Sequence, residues 1–400
     1  MTNVEGGRSR RSETERAFVS DNEDFAKQQL SFALNLYRRA LEDYSPDANV
    51  VVAPFSVCRC LNALSLGSAG QTKAEIDAAL GRDEWSDERW SETFLAADRG
   101  VNETREATLT GALWLAPDLK LDKTFVERCE KMSQTKATTL DFKAPTALKT
   151  ANDWFEKNTA GKIKNLLSEF DPETRLLIAD ATTFKAQWRE KFKERSTRTR
   201  SFTNAQGNAI FVSMMAQTGR FRYHEAYGFQ YLEAEYENGR FALSIVLPRD
   251  YRLFAEVERA LTPAFLLECR DRAMNVELEF RLPRFKVERS CDLSETLRKA
   301  GVVSAFKDSA NFTRTTVDGE KLKVGQVKQA AFLEVDENGT EAGAATAVEI
   351  KGALAAPPPP ARLQFYADRP FFYFLRDNAT GVVLFAGRLV TPELRLRYSG

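Results

Sequence analysis

Apolar and charged positions alternate with a period of two along one stretch of the chain. Between residues 340 and 351 the even-numbered residues are small or apolar, and the charges fall on Glu341, Glu349 and Lys351. This period is typical of a half-buried β-strand. The inward residues are mostly too small to hold a strand in place alone, and Pro357–Pro360 follow as a rigid run. An Ala/Gly linker is the alternative interpretation, but a linker has no reason to sort its charges by parity.

The same analysis of periodicity predicts a mixture of helices and strands along the rest of the chain. Apolar residues at helical spacing, proline at a first turn and a Thr72–Glu75 capping box predict helices over 23–43, 54–66, 72–80, 146–160, 253–268 and 293–300. Short apolar runs predict strands over 50–52, 107–115, 176–184, 210–215, 231–236, 241–247, 276–282, 330–335, 371–375 and 382–389. The order is not a regular strand–helix alternation, so the predicted class is α+β.

The predicted domain organisation is one compact domain over residues 25–400, preceded by a disordered polar tail over 1–24. No internal repeat and no long linker divides the 400 residues. Arg8, Arg10 and Arg11 form a basic cluster in the tail, but acidic residues follow at once. We interpret the cluster as part of a solvated segment rather than a polyanion site.

Composition gives no indication of a nucleic-acid or membrane partner. Lys+Arg and Asp+Glu both number 57, so the formal net charge is zero. No apolar run approaches the roughly 20 residues of a membrane span. The five cysteines are odd in number and scattered, which fits free thiols in a reducing compartment better than a disulfide framework.

The residue types needed for enzyme catalysis or metal binding are sparse. His224 is the single histidine, and no nucleophile motif accompanies it. Cys58 and Cys60 have no second Cys/His pair at zinc-site spacing. Glycine-rich phosphate-binding motifs are also missing. We therefore predict that the protein is not an enzyme and uses no cofactor and no metal.

Several segments, in order along the chain, resemble the signatures of the serpin family. They are Asn49–Val57, Leu64–Thr72, Phe184–Phe192, Phe241–Pro248, Ala310–Thr313, residues 330–347, Asp368–Phe371 and Thr380–Leu389. The resemblance runs from about residue 25 to residue 391 and implies an α+β fold with three β-sheets, about nine helices and an exposed reactive-centre loop at about 338–362. It also implies suicide inhibition, in which a cleaved loop inserts into the central sheet and traps the acyl-enzyme of the target protease.

Several residues before the loop match the family's hinge. They are Glu337, Gly339, Thr340, Ala342, Gly343, Ala344, Ala345 and Thr346. Small residues here would let the segment enter between two packed strands without overpacking the core. The hinge has no proline and no inward charge, which predicts an inhibitory member.

The family's spacing from Glu337 places the reactive bond at Ala353–Leu354. A small residue before the cleaved bond suits an elastase-like serine protease, which we predict as a covalent partner of a monomeric inhibitor. Leu354, Lys351 and Arg362 remain alternative reactive positions, the first for a chymotrypsin-like target and the others for trypsin-like targets. Two other functions stay open: cross-class inhibition of papain-like cysteine proteases, and a non-inhibitory binding or chaperone role.

The resemblance also identifies a region where the central sheet opens. The matching positions are Ser56, Asp180, Trp188 and Gln329, with Ala53 beside them. The family usually has a Ser/Asn/His hydrogen-bond cluster here. Asp180 and Gln329 therefore predict a cluster that still holds the sheet closed, but with a different stability. A buried Asp180 needs a donor or a raised pKa, and Gln329 is the expected donor.

The predicted location is the cytoplasm, or the extracellular space after release without a signal peptide. The N-terminal residues contain no apolar stretch of the secretory type. Asn338-Gly-Thr is a glycosylation sequon within the hinge, and a glycan there would obstruct insertion. An inhibitor with this hinge functions better outside the secretory pathway.

Overall fold

The computed structural model describes residues 5–171, 173–340 and 362–392, with side chains described from residue 21 onward. Nine α-helices lie within these residues. They are α1 Glu5–Leu41, α2 Pro54–Gly67, α3 Gly70–Leu80, α4 Asp87–Asn102, α5 Lys123–Ser133, α6 Ala147–Asn158, α7 Phe254–Ala260, α8 Pro263–Arg272 and α9 Ser294–Lys299.

Sixteen strands accompany the helices in the same described residues. They are β1 Val50–Val52, β2 Ala107–Leu115, β3 Thr135–Thr139, β4 Leu176–Phe184, β5 Ala186–Gln187, β6 Arg198–Thr203, β7 Ala209–Ala226, β8 Phe229–Glu235, β9 Phe241–Pro248, β10 Met274–Pro283, β11 Phe285–Asp292, β12 Gln326–Val335, β13 Gly339–Thr340, β14 Leu363–Tyr366, β15 Phe371–Asp377 and β16 Val383–Leu389. The predicted α+β class is confirmed.

The strands form two hydrogen-bonded networks, of nine and seven strands. The 18-residue strand β7 joins two parts of the larger network: residues 209–214 pair with β6, residues 214–223 with β10 and residues 222–226 with β8. Division at β7 gives one sheet of β6, β7, β10 and β14 and another built on β8, β9, β15, β16 and β1. With the seven-stranded network the fold therefore has three sheets.

The seven-stranded network is the central sheet. Its order begins β3-β2-β4-β12, with β11 paired to the other edge of β12. β4 and β12 run parallel to each other, in register from Gln326 opposite Leu177 to Phe332 opposite Thr183. Helix α2 packs beneath this sheet, and every one of its residues is buried. Parallel strands buried on both faces favour apolar sequence, which residues 176–179 of β4 and residues 330–333 of β12 have.

The N-terminal segment differs from the sequence prediction. α1 begins at Glu5, whereas residues 1–24 were predicted to form a disordered tail. The Arg89 side chain of α4 donates to the Asp21 carboxylate, with Nε 3.0 Å from Oδ2, so Asp21 contacts the folded domain. The apolar face from Phe25 to Tyr37 anchors the C-terminal half of the helix in the core. Helix α1 can then extend toward its N-terminus without a new nucleation step, because adding a residue to an existing helix costs far less free energy than starting one.

The Thr72–Glu75 pair does not form the predicted capping box. α3 begins at Gly70, two residues earlier than predicted, and its N-cap Ala69 has no side-chain cap bond. The Thr72 hydroxyl accepts from the backbone N–H of Asn311, and the Glu75 carboxylate accepts from the backbone N–H of Ser304. Both side chains therefore bind a distant segment rather than cap the N-terminus of their own helix, although Glu75 also accepts from the Gln71 side chain.

Other helices also differ from the predicted ones, because of features in their local sequence. The helix predicted over 253–268 is two helices, because Thr262 caps α8 by accepting from the Phe265 N–H and precedes Pro263. α4 and α5 were not predicted, although Ser86 and Asp122 cap their first turns. Their mixed polar and apolar sequence lacks the long periodic run on which the prediction relied.

Candidate functional site

The central sheet contains a seam between its two parallel strands, β4 and β12. Adjacent strands lie about 4.8 Å apart, and these two are directly hydrogen-bonded over seven residue pairs. Any strand that entered between them would run either parallel to both or antiparallel to both.

A two-residue strand already lies at one end of the seam. In β13, Thr340 pairs antiparallel with Val335 of β12 and with Ala186 of β5, and Gly339 pairs with Gln187. The chain therefore turns back after β12 and begins an antiparallel strand beside it. The predicted hinge residues Gly339 and Thr340 are both buried in this position.

Gly339 has a backbone conformation that other residues rarely adopt. Its φ is 154°. A Cβ atom at this position would lie 1.9 Å from the carbonyl oxygen of Ala186, which is itself part of the sheet backbone. The close approach of β13 to β5 therefore requires glycine.

Thr340 points into an aromatic cluster beneath the seam. Its hydroxyl lies 2.7 Å from the hydroxyl of Tyr236, and neither side chain is exposed. Tyr236 stacks on Trp188 with ring centroids 4.5 Å apart. Trp188 Nε1 donates to the carbonyl oxygen of Asp336 at 2.8 Å, and its backbone N–H donates to the carbonyl oxygen of Asn338. The predicted tryptophan thus holds the hinge from both its ring and its backbone.

Glu337 anchors the turn between β12 and β13 through a charged contact. Nε of Arg284 donates to both carboxylate oxygens of Glu337, at 2.7 and 2.8 Å, and Thr197 donates a further hydrogen bond. The Glu337 side chain is 3% exposed, whereas that of Arg284 is 25% exposed. A bidentate pair of this kind fixes orientation as well as charge.

A second buried cluster spans the seam nearer its middle. Gln329 of β12 lies opposite Asp180 of β4, and its Nε2 donates to Asp180 Oδ2 at 2.6 Å. The hydroxyl of Ser56, on α2, donates to the other carboxylate oxygen. Gln329 also exchanges hydrogen bonds with the backbone of Ala53, at 3.2 and 3.3 Å. The structure thus joins Ser56, Asp180 and Gln329 into one cluster that bridges both strands and the helix below.

Among the described residues, the hydrogen-bond partners of the Asp180 carboxylate are all neutral. Burial raises its pKa to about 7, and the Gln329 hydrogen bond and the charge of Arg59 oppose this only in part. Arg59 is itself engaged, because it pairs with Asp98 and donates to the carbonyl oxygen of Leu109. A carboxylate without a contacting cation is costly to ionise in a dry interior.

Some predicted site residues lie outside the described residues. They are Ala342, Gly343, Ala344, Ala345, Thr346, Lys351, Ala353 and Leu354. The alternative reactive position Arg362 is described: it immediately precedes β14, is exposed, and has Nε 3.9 Å from a Glu277 carboxylate oxygen. Three further residues of the site were not predicted from the sequence: Arg284, Thr197 and Tyr236. Their side chains come from distant strands, and no local motif marks them.

The described residues offer little other chemistry. They contain no group of three or more His, Cys, Asp or Glu side chains that could hold a metal ion. His224 is half-buried, with its ring near that of Phe229. No helix in the described part of the chain is both long and apolar enough to cross a membrane. The five cysteines, Cys58, Cys60, Cys129, Cys269 and Cys291, are all free.

A separate cavity of about 400 Å³ lies between α1, α8 and the sheet that contains β8, β15 and β16. Apolar side chains such as Leu30 and Phe374 line it together with the cationic Lys27, Arg270 and Arg376. The hydroxyl of Tyr231 at its wall donates to the buried carboxylate of Glu233 at 2.6 Å. Glu23 and Asp271 also line the cavity, and Arg376 is paired with the Glu233 carboxylate, so its wall combines apolar side chains with charges of both signs.

The fold and the site together define the class of the chain: an α+β protein with a parallel strand pair at the centre of its main sheet and a hinge at one end. The chain belongs to the serpin family, since residues 27–392 match the family model described as Serpin (serine protease inhibitor).

Curated relatives and solved structures agree with this assignment. Human antithrombin-III is 30% identical over 92% of this chain and 82% of its own length. Antichymotrypsin-2 of Bombyx mori is 30% identical over 89% of this chain and 95% of its own. The crystal structure of human thyroxine-binding globulin complexed with thyroxine superposes with a TM-score of 0.84, at 26% identity, over 94% of this chain and all of that one.

Family membership supports protease inhibition as the general activity and argues against an enzyme. Most members are protease inhibitors, although thyroxine-binding globulin shows that the same fold also serves binding. Which protease is inhibited, and by what mechanism, depends on the seam, the hinge and the loop that follows.

Proposed function

We propose that the protein is a single-use, suicide-substrate inhibitor of serine proteases with elastase-like specificity. The observation that carries the proposal is the position of Gly339 and Thr340, which lie as an antiparallel strand at one end of the seam between β4 and β12. A protease would cleave the loop after the hinge and form an acyl-enzyme. The released segment would then extend β13 along the seam and carry the protease with it.

The register of β13 supports this extension. If the following residues keep the register of Thr340, residue 346 lies opposite both Gln329 and Asp180. Successive strand residues alternate between faces, so Ala342, Ala344 and Thr346 would share the buried face of Thr340. These are the small residues that the sequence pattern placed on one face. The two neighbouring strands therefore specify the same register for the inserted segment.

The free energy released by insertion of the loop would be sufficient to drive the conformational change. A segment of roughly 12 residues would form about a dozen ladder hydrogen bonds, each contributing about 0.5–1.5 kcal/mol net. The sum is comparable to the roughly 5–15 kcal/mol stability of a whole domain. Small inward side chains would avoid the overpacking that larger ones impose on a dense core.

The proposed class of target protease depends on which bond of the loop is cleaved. The hinge spacing favours cleavage between Ala353 and Leu354, and a small residue before the bond suits the shallow primary pocket of elastases. The inserted length is fixed by the sheet, whereas the distal part of the loop only spans a gap. Cleavage at Arg362, directly before β14, would leave a slack tether beyond Ala353 and would let the acyl-enzyme hydrolyse.

Incubation with pancreatic or neutrophil elastase tests the proposal. We expect a covalent complex that resists SDS, a released peptide that begins at Leu354, and a cleaved form with higher thermal stability than the native protein. Chymotrypsin, trypsin and papain, assayed in parallel, distinguish Leu354, Lys351, Arg362 and cross-class inhibition. Light scattering during purification checks the proposed monomer. Cleavage without a complex and without gain in stability would refute the inhibitor.

A location in a reducing compartment, or release from it, accords with the same proposal. All five cysteines are free, and four of them are buried. Asn338 lies in the β12–β13 turn, where its backbone N–H binds Asp336, so a glycan there would disturb the hinge. We therefore retain the cytoplasm, or the extracellular space without a signal peptide, as the proposed location.

The cavity between α1 and α8 favours binding of a small molecule as the second candidate function. Its size and its mixture of apolar side chains with charged ones of both signs suit an amphipathic ligand with aromatic rings. The similarity to thyroxine-binding globulin adds weight, because that protein was solved with thyroxine.

Thermal unfolding in the presence of thyroxine tests this candidate. We expect a concentration-dependent rise in the midpoint that Arg376→Ala reduces, since Arg376 lines the cavity. Arg189→Ala, an exposed arginine away from the cavity, serves as the control. An unchanged midpoint at saturating thyroxine would argue against a cavity for this class of ligand.

A further inference from the structure

Asp180 is the carboxyl group that lies at the middle of the seam, directly opposite Gln329. It is fully buried, and the row of residues directly opposite it across the central sheet contains Gly111, Gln329 and Cys291. The Gln329 amide and the Ser56 hydroxyl are neutral donors. The hydrogen bond from Gln329 crosses the seam itself. Opening of the seam would therefore break this bond and change the surroundings of the Asp180 carboxyl group.

Other titratable groups near Asp180 do not neutralise it. From α2, Arg59 acts on it from a distance but is bound to Asp98. Cys60, on the same helix, and Cys291, on β11, are thiols whose pKa values burial raises, so both stay uncharged near neutral pH. Strands β2 and β12 contribute the uncharged Gly111 and Gln329 at this row.

We propose that Asp180 makes opening of the central sheet pH-dependent, with protonation of its carboxyl group holding the seam closed and ionisation favouring its opening. The inference rests on the proposed insertion mechanism and adds its regulation. In the closed sheet a proton on the carboxyl group removes an uncompensated buried charge. When the strands separate, the Gln329 contact is lost and water reaches the carboxylate, which can then ionise at little cost.

The direction follows from linkage. Burial raises the pKa of Asp180 to about 7 in the closed sheet, whereas a hydrated aspartate has a pKa of about 3.9. The closed sheet therefore binds more protons than the open one between these two values. As the pH rises from about 4 toward about 7 the closed sheet loses stability relative to the open one, and above that range both forms are ionised and the effect levels off.

Incorporation of a synthetic peptide tests the inference without any protease. The peptide has the sequence of residues 340–353 and would enter the seam of the native protein, where a native gel detects it. We expect incorporation to be about tenfold faster at about pH 8 than at about pH 5.5. In Asp180→Asn the rate should stay low and nearly independent of pH, because the neutral amide keeps the shape but cannot ionise.

Two further variants test whether Asp180 is the group that titrates. Histidine is the side chain that ordinarily titrates in this range, and the chain has only His224, so His224→Gln should retain the full pH dependence. Ser56→Ala removes a neutral donor to the carboxylate, which should shift the midpoint of the pH profile upward. A purely structural role for Ser56 would change the rate without moving this midpoint.

The outcomes distinguish this inference from the proposed function. Peptide incorporation at a rate that does not vary with pH, or a pH dependence that persists in Asp180→Asn, would overturn the inference and leave the insertion mechanism standing. Failure of the peptide to enter the wild-type seam at any pH would overturn the insertion mechanism and the inference together. A midpoint unmoved in Ser56→Ala would contradict the assignment of the titrating group.

Discussion

Thr340→Arg is expected to convert the protein from an inhibitor into a substrate of its target protease. Thr340 is fully buried between β12 and β5, with its hydroxyl on Tyr236. An arginine there would place an unpaired charge beneath the central sheet, at a cost of several kcal/mol, so residue 340 would be expelled and the β13 pairing from which insertion starts would be lost. Insertion would slow relative to hydrolysis of the acyl-enzyme. The stoichiometry of inhibition should rise about tenfold or more, while cleavage of the loop continues.

Two variants at the same position provide controls for this effect. Thr340→Ser retains the hydroxyl and should leave the stoichiometry near that of the wild type. Thr340→Val keeps the shape but leaves the Tyr236 hydroxyl without this partner, so a modest loss of native stability is expected, of about 1 kcal/mol. An unchanged stoichiometry in Thr340→Arg would show that inhibition does not require residue 340 to stay buried between β12 and β5.

Much of the fold could be predicted from the sequence, because many of its buried strands contain a short apolar run. β2 and β4 match the predicted ranges in full, and the apolar face of α1 from Phe25 to Tyr37 is buried as expected. Elements with polar sequences were less predictable. β6, with the sequence RTRSFT, pairs with β7 only because tertiary structure brings them together.

The hinge was predictable only in part, for a similar reason. Its own residues carry a local pattern, and Gly339 and Thr340 lie at the seam. The residues that bind it come from remote segments: Arg284 follows β10, and Tyr236 follows β8. Nothing in their local sequence indicates a partner more than 50 residues away. Such contacts depend on the strand order, which periodicity alone does not determine.

The two clusters along the seam differ in electrostatic character, so they should respond differently to the loss of a carboxylate charge. The hinge end is held by a charged pair, Arg284 with Glu337, whereas the middle is held by Asp180 with neutral donors. Loss of charge should therefore weaken the hinge end. At the middle, loss of charge should strengthen the closed sheet. Neutralising each carboxylate in turn tests this opposition directly.

Glu337→Gln is accordingly expected to destabilise the native protein, in contrast to Asp180→Asn. The amide cannot compensate the guanidinium of Arg284, whose Nε contacts both carboxylate oxygens. Removal of one partner from a buried pair costs about 3–5 kcal/mol, and the partial exposure of Arg284 reduces this to about 2–3 kcal/mol.

Urea unfolding monitored by tryptophan fluorescence measures the loss in Glu337→Gln, since Trp188 covers the same turn. Asp153→Asn, which removes an exposed pair with Lys149, should change the unfolding free energy by less than about 0.5 kcal/mol. The charge swap Glu337→Arg with Arg284→Glu should recover part of the loss, because it restores opposite charges with altered geometry. If Glu337→Gln unfolds at the same urea concentration as the wild type, the charged pair contributes little and the hinge is held by Trp188 and the backbone alone.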